Sequence, residues 1–263
     1  MSRTKIIAFA NNKGGSGKTT SCSNIGCALA GMGKKVLLID GDMQLNLTLS
    51  FFDEDKALGY ASDGKNIYTA IKEEKDLSEF VIPTDYEGLD IIASTSLMSA
   101  IEFDLFTKWQ REFILRKCLE PIRARGYYDY ILIDSPPTLG GWVMNILCAS
   151  DYVVIPVEAS PWGLFGLANM FDFISQVKNL NPHLEVMGIA ITKADERKSY
   201  FKQTYETLRD FDAARLFNTY IRIDSAIEWA QDNSQPVVAY KRYSRSAIEY
   251  TKLAKEIMEY ANR

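Results

Sequence analysis

Short, almost uninterrupted apolar runs alternate along the chain with longer stretches in which apolar residues recur every three or four positions. The apolar runs are rich in β-branched and aromatic residues, which is typical of strands covered on both faces of a sheet. They predict strands at residues 6–10, 36–39, 89–93, 130–133, 152–157 and 186–191. The longer stretches predict helices at residues 17–31, 99–119, 140–149, 165–179 and 199–211. Because strands and helices alternate, the predicted fold class is α/β, a doubly wound, mostly parallel sheet flanked by helices.

The length of 263 residues is interpreted as a single domain that covers positions 1–263. α/β folds commonly reach this length as one unit. The sequence contains no internal repeat, long like-charge block or Pro/Gly-rich linker that would mark a boundary.

Composition narrows the range of functions. The 30 Lys and Arg residues against 34 Asp and Glu residues give a net charge of −4, which argues against a binder coated in positive charge but leaves a local basic patch open. No apolar stretch approaches about 18 residues and no secretory segment opens the chain, so we expect a cytoplasmic protein. The four cysteines form no C-x-x-C pair and only one histidine accompanies them, which predicts reduced thiols and no zinc site.

A glycine-rich loop follows the first predicted strand and supplies most of the candidate nucleotide-binding residues. They are Lys13, Gly14, Gly15, Ser16, Gly17, Lys18, Thr19 and Thr20. The loop resembles the phosphate-binding pattern G-x-x-x-x-G-K-[ST], with Asn12 in place of the first glycine. Glycines let backbone N–H groups converge on phosphate oxygens, and the following helix points its positive end at them. Lys18 is predicted to contact the β- and γ-phosphates and Thr19 to bind Mg²⁺.

The loop sequence KGGSGKTT resembles the deviant Walker A loop of the ParA/MinD ATPases, which carry an extra lysine, here Lys13. The resemblance continues in SNIGCALA after the loop, VLLIDGDMQLN at the second strand, YDYILIDSPPTLG at the Walker B strand, and SDYVVIPVEAS. It is strongest to the ParA/Soj partition branch. This resemblance implies a P-loop NTPase fold with ATP and Mg²⁺ as cofactors.

Three carboxylates end predicted strands and are expected to meet at the loop. By the resemblance, Asp134 holds Mg²⁺ through water and Asp40 lies near the Mg²⁺ shell, as hard cations favour oxygen ligands. The resemblance also implies that Asp42 positions the attacking water. A single strand-terminal aspartate often only caps a helix or turn. Three of them around one phosphate loop favour the catalytic interpretation.

Lys13 is assigned a different role from Lys18. The resemblance implies that Lys13 reaches into the site of a partner chain in a face-to-face ATP dimer. There it supplies charge to the transferring phosphoryl group, as an arginine finger does. Lys13, Lys18 and Asp42 are therefore the candidate catalytic residues. The alternative for Lys13 is a solvated loop lysine.

Two departures from the family pattern leave properties of the reaction open. Met43 and Leu45 replace the usual proline and glycine after Asp42, so the hydrolysis rate is not predicted. Thr192 and Lys193 are expected to contact the nucleotide, within a Thr-Lys-Ala-Asp segment that resembles the T-K-x-D guanine-reading motif of related GTPases. GTP therefore remains an alternative to ATP.

Other branches of the family match less well. MinD-like proteins end in a basic amphipathic helix that binds membranes. The polar positions of the last helical stretch here carry both signs, at Glu249, Lys252, Lys255, Glu256 and Glu259. This pattern favours a core-packed helix, and no membrane partner is expected. Cys118 and Cys148 do not lie in the contexts of an iron–sulfur protein, so we expect buried small side chains.

Four cations near the end of the chain are the candidate DNA contacts: Lys241, Arg242, Arg245 and, more loosely, Arg222. The alternative for them is a solvated loop paired with acids. The resemblance implies an ATP-dependent homodimer that binds nonspecific DNA and hydrolyses ATP to position plasmid or chromosome DNA on the nucleoid. It also implies a ParB-type partner. The competing hypothesis is a MinD-like ATPase or GTPase regulator that acts on a protein client without DNA.

Overall fold

The computed structural model describes residues 4–160, 164 and 166–262. The strands are β1 (Lys5–Phe9), β2 (Val36–Asp40), β3 (Ile82–Pro83), β4 (Leu89–Ile92), β5 (Tyr130–Asp134), β6 (Tyr152–Glu158) and β7 (Glu185–Thr192). The helices are α1 (Lys18–Gly31), α2 (Asn46–Leu49), α3 (Glu54–Ser62), α4 (Ile67–Glu73), α5 (Ile101–Phe106), α6 (Ile114–Arg125), α7 (Gly141–Ala149), α8 (Leu167–Lys178), α9 (Ser199–Arg209), α10 (Ser225–Asp232), α11 (Val237–Tyr240) and α12 (Arg245–Ala261). Short 3₁₀ turns cover Leu77–Phe80, Ser96–Ala100 and Arg111–Phe113.

All strands join one sheet in the order β3-β4-β2-β5-β1-β6-β7. Every pairing is parallel except that of β3 with β4. The predicted doubly wound, mostly parallel sheet is therefore confirmed. The register places Asp134 of β5 opposite both Phe9 of β1 and Asp40 of β2. The carboxyl ends of these three strands thus lie side by side, which is where ligands bind in open α/β sheets.

Helices cover both faces of the sheet. On one face α1 packs against α12, and Leu253, Ala254 and Ile257 of α12 are fully buried there. This confirms that the last helix is core-packed. The other face is covered mainly by α4 to α9, with the fully buried Ile146 of α7 in its core. None of the described helices is long and apolar enough to cross a lipid bilayer.

The helix predicted over residues 99–119 is wrong as a single element. It is split into α5 and α6, because Gln110 has a φ of 51°, a left-handed conformation that a right-handed helix does not contain. Strand β3, which is only two residues long, and helices α2 to α4, α10 and α11 were not predicted. The helix predicted at 165–179 corresponds to α8, and its first residue, Phe165, lies outside the described residues.

The cysteines have the environment that the sequence predicts. All four are free and buried, including Cys118 and Cys148. Burial raises the pKa of the Cys118 and Cys148 thiols to about 11, so these groups stay protonated near neutral pH. They pack as small apolar side chains.

Candidate nucleotide-binding site

The loop between β1 and α1 has the backbone of a phosphate cradle. Gly15 and Gly17 have φ values of 74° and 86°, in the left-handed region that favours glycine. A Cβ at Gly17 would also lie 3.1 Å from Cγ2 of Thr192. Among the described residues, no side chain caps the N-terminus of α1. Its first N–H groups are therefore free to bind an anion.

Lys18 begins α1 and is almost fully buried, with 6% of its surface exposed. Its Nζ donates to the carbonyl oxygen of Lys13 at 3.3 Å. Burial lowers the pKa of Lys18, while the charges of Asp134 and Asp42 act in the opposite direction. The ammonium has three N–H donors and uses one on this carbonyl, so the others can bind phosphate oxygens in the loop.

Thr19 and Asp134 form the part of the site suited to a metal ion. Thr19 Oγ1 donates to Asp134 Oδ2 at 2.7 Å. The other carboxylate oxygen, Asp134 Oδ1, is buried and has no hydrogen-bond partner among the described residues. Burial raises the pKa of Asp134 well above its ordinary value, and the charge of Asp40 acts in the same direction. A buried, unsatisfied carboxylate oxygen beside a hydroxyl fits Mg²⁺, which is commonly held by one or two carboxylates, waters and phosphates.

Asp40 is fully buried on the strand beside Asp134, and both of its carboxylate oxygens accept hydrogen bonds from the segment that follows β2. One oxygen accepts from the backbone N–H and the hydroxyl of Thr48, at 2.8 and 2.7 Å. The other accepts from the backbone N–H of Asp42 at 3.2 Å. Burial raises the pKa of Asp40 to about 6. These bonds fix the chain between β2 and α2, whereas the expected role of Asp40 near Mg²⁺ stays a prediction.

Asp42 faces the cleft above the phosphate loop and is 7% exposed. Its Oδ1 accepts from the backbone N–H of Gln44 at 3.1 Å, and its carbonyl oxygen accepts from the hydroxyl of Ser94 at 2.7 Å. Leu45 follows with a φ of 57°, in the left-handed region, at the position where the family pattern has glycine. The departure seen in the sequence is therefore a strained backbone position.

The cleft has a volume of about 890 Å³, which is enough for a nucleotide. Thr192 and Lys193 line it, while their contact with the nucleotide stays a prediction, and Thr192 Oγ1 donates to the carbonyl oxygen of Ser16 at 2.8 Å. Asp195, the residue that would read guanine, is instead bound by Arg197 through two guanidinium hydrogen bonds of 2.8 and 2.9 Å. These bonds lower the pKa of Asp195 to about 2.

Lys18 lines the cleft, whereas Lys13 is not among the described residues that line it. Lys13 Nζ donates to Glu158 Oε2 at 2.6 Å and to Ser160 Oγ at 3.1 Å. Although partial burial would raise the pKa of Glu158, the hydrogen bond and charge of Lys13 lower it. Glu158 ends the apolar strand β6, and sequence reasoning missed it because the pairing spans 145 residues.

Three of the four candidate DNA contacts come together, and one does not. Lys241, Arg242 and Arg245 line a second cavity of about 740 Å³ beside α10. Arg222 lines the nucleotide cleft. Its guanidinium is paired with Glu249, which is 5% exposed, and with Glu196 at 3.3 Å.

Sequence reasoning also missed helix α10. Its residues Ile227, Glu228, Gln231 and Asp232 line the nucleotide cleft. Gln231 Nε2 donates to Thr20 Oγ1 at 3.3 Å, which connects α10 to the phosphate loop. The signal available in the sequence is the N-cap at Asp224, whose side chain accepts from the backbone N–H of Ala226.

Comparison with known proteins agrees with this geometry. A family model described as an AAA domain matches residues 4–186. The chromosome partitioning protein ParA of Caulobacter vibrioides is 33% identical over 255 residues, which cover 97% of this chain and 94% of the relative.

Two solved structures share the whole fold. A plasmid partition protein of Borrelia burgdorferi bound to AMPPNP is 30% identical, covers 98% of each chain and has a TM-score of 0.80. Cobyrinic acid a,c-diamide synthase of Mycobacterium smegmatis, with bound ADP and magnesium, is 26% identical, with a TM-score of 0.83 and coverage of 98% of this chain and 96% of the synthase. The phosphate loop carries both Lys13 and Lys18, and the ParA relative matches over nearly the full length of both chains. This chain therefore belongs to the ParA-type partition ATPases.

Proposed function

We propose that this chain is an ATP-driven dimerising switch that binds nonspecific DNA and hydrolyses ATP to position plasmid or chromosome DNA on the nucleoid. The observation that carries the proposal is the separation of the two loop lysines. Lys18 is buried in its own loop, whereas Lys13 lies outside the cleft with 26% of its side chain exposed. Lys13 is paired with Glu158 in the monomer, and once released from that pair it can contact the nucleotide of a second chain.

ATP is the nucleotide and Mg²⁺ the metal that the site fits. Gly14 to Thr20 would hold the phosphates, while Thr19 and Asp134 would hold Mg²⁺, in part through water. The metal neutralises charge on the phosphates when bound. The Borrelia relative bound to AMPPNP and the Mycobacterium relative bound to ADP and magnesium support this choice. Asp195, the residue that would read guanine, is not among the described residues that line the cleft, so the cleft gives no support for GTP.

Hydrolysis is assigned to Asp42 and Lys18 of one chain and to Lys13 of a second chain. Asp42 orients the water that attacks the γ-phosphorus as the bond to the bridging oxygen breaks. Lys18, together with Lys13 of a second chain, stabilises the charge that develops on the phosphate oxygens. Asp40 acts as a positioning residue, since its bonds to Thr48 and Asp42 hold the loop that carries the catalytic carboxylate.

DNA binding is assigned to Lys241, Arg242 and Arg245. Three cations in one monomer make few phosphate contacts, and a dimer would double them along one surface. Binding would then depend on the nucleotide that forms the dimer. A ParB-type protein is the expected partner that stimulates hydrolysis and thereby release.

A protein client is a second candidate partner, and one observation favours it. Phe103, Phe106 and Trp109 at α5 and the segment after it are 78%, 72% and 85% exposed. Exposed aromatic side chains grouped along one segment are typical of protein interaction sites. This surface is where a protein client would bind, and such binding would not require DNA.

The experiment that tests the proposal is duplex DNA binding of the full chain in ATP and in ADP, each with Mg²⁺. The proposal expects binding in ATP and its loss in ADP. A matched variant, Asp42→Ala, should bind DNA in ATP and stay bound, because the dimer forms and its ATP is not hydrolysed. If the chain binds ATP and dimerises but does not bind duplex DNA, the result would favour the protein-client alternative.

A further inference from the structure

The second cavity combines cations with exposed aromatic rings. Besides Lys241, Arg242 and Arg245, its walls include Trp229, Tyr240 and Tyr243. These three aromatic residues are 52%, 36% and 84% exposed. Contact with phosphates alone requires no aromatic ring. Cations interleaved with exposed rings are instead the pattern of surfaces that bind single-stranded nucleic acid.

The two rings nearest the cations have different environments. Lys241 Nζ lies 4.0 Å from the centroid of the Trp229 ring, so this ring fixes the lysine through a cation–π contact. Arg242 lies 5.5 Å from the centroid of the Tyr243 ring. Because Tyr243 is far more exposed than Trp229, its ring has room for a further planar group.

The carboxylate in the cavity is already engaged. Asp224 accepts from the backbone N–H groups of Ala226 and Ser246, each at 3.0 Å. These bonds lower the pKa of Asp224 although partial burial acts against them. Asp224 therefore stays ionised, and the three cations outweigh its single negative charge among the residues that line the cavity.

We infer that this cavity binds a single-stranded DNA segment, with one unpaired base stacked on Tyr243 and the neighbouring phosphates held by Lys241, Arg242 and Arg245. The inference rests on the DNA binding proposed above and adds single strands as a substrate class. Stacking on tyrosine is independent of sequence because every base has a π-face. In a duplex the bases are stacked on one another and are not available to the ring.

Helix α10 connects this cavity to the nucleotide. Gln231 and Ile227 lie on the wall of the nucleotide cleft, while Ala226 and Trp229 lie on the wall of the second cavity. Asp224 lines both cavities. A shift of this helix on nucleotide binding would move Trp229 and, with it, Lys241. Single-strand binding is therefore expected to respond to ATP.

The test compares a labelled oligothymidine with a duplex of equal length, using the full chain with AMPPNP and Mg²⁺. Tyr243→Ala should weaken oligothymidine binding about fivefold or more, and Tyr243→Phe should restore it because the ring is kept. Duplex binding should be nearly unchanged in both variants. Tyr127→Ala is the matched control, since this exposed tyrosine precedes β5 at the end opposite Asp134.

The failure of this inference differs from the failure of the proposed function. Unchanged oligothymidine affinity in Tyr243→Ala, with duplex binding intact, overturns base stacking and leaves the switch in place. An equal loss on both DNA forms also overturns it, because that result describes a backbone contact. A wild-type chain that binds AMPPNP but neither DNA form overturns both proposals.

Discussion

Lys13 Nζ lies 2.6 Å from Glu158 Oε2, so the lysine assigned to a partner's nucleotide is held by its own chain in the monomer. Each side chain of the pair is 26% exposed. Dimer formation must break this ion pair before Lys13 can reach across. The pair therefore opposes dimerisation by whatever it contributes to the monomer, which for a partly exposed ion pair is up to about 1 kcal/mol.

Glu158→Gln is expected to strengthen the ATP-dependent dimer. The substitution removes the charge that holds Lys13 in each of the two chains, and the loss of two such pairs should lower the dimer dissociation constant up to about 30-fold. Sedimentation velocity in ATP measures this change. Glu112→Gln is a matched control, because Glu112 also pairs with a neighbouring cation, Arg111. An unchanged or weaker dimer in Glu158→Gln would show that the pair does not restrain Lys13.

Lys18→Ala is expected to weaken nucleotide binding. Loss of one charge-assisted hydrogen bond to the phosphates should raise the ATP dissociation constant about ten- to 150-fold. Isothermal titration calorimetry with ATP and Mg²⁺ gives the constant directly. Lys13→Ala serves as the control, since its side chain lies outside the cleft and its ATP affinity should stay close to that of the wild type. Equal losses in the two variants would contradict the different roles of the lysines.

Gly41→Ala is expected to destabilise the fold and displace Asp42. A Cβ at Gly41 would lie 2.6 Å from the backbone oxygen of Asp134, and that backbone belongs to the central strand β5. The overlap should lower the free energy of unfolding by about 1–3 kcal/mol. Urea denaturation measures the loss. Gly31→Ala is the control, because a Cβ there meets nothing within 4 Å. Equal stability of the two variants would refute the close approach at Gly41.

Arg242 and Arg222, both DNA-contact candidates from the sequence, are expected to differ in their effect on DNA binding. Arg242→Ala should reduce the log–log salt slope of duplex binding by roughly one unit for each phosphate that the arginine neutralises. Arg222→Ala should leave that slope unchanged and lower stability, because it deprives the buried Glu249 of its partner. DNA titrations at several salt concentrations distinguish them. A reduced slope in Arg222→Ala would return this residue to the DNA surface.

The sequence predicted those elements whose determining residues are neighbours in the chain. The strands could be predicted because residues buried on both faces leave continuous apolar runs, and the phosphate loop because Gly15 and Gly17 adopt conformations that favour glycine. The break between α5 and α6 could not be predicted, since Gln110 is a good helix former that adopts a left-handed conformation here. Contacts such as Lys13–Glu158 and Thr20–Gln231 join residues far apart in the chain. They depend on tertiary packing and leave no periodic signal.

Mixing two inactive variants tests the central claim, a dimer in which Lys13 acts on the nucleotide of the other chain. Lys13→Ala keeps an intact site but supplies no lysine, and Asp42→Ala supplies the lysine but has no residue to orient the water. Each variant alone should hydrolyse ATP poorly. A mixed dimer contains one complete site, so the ATPase rate of the mixture should rise clearly above that of either variant. A mixture that stays as inactive as its components would contradict the account.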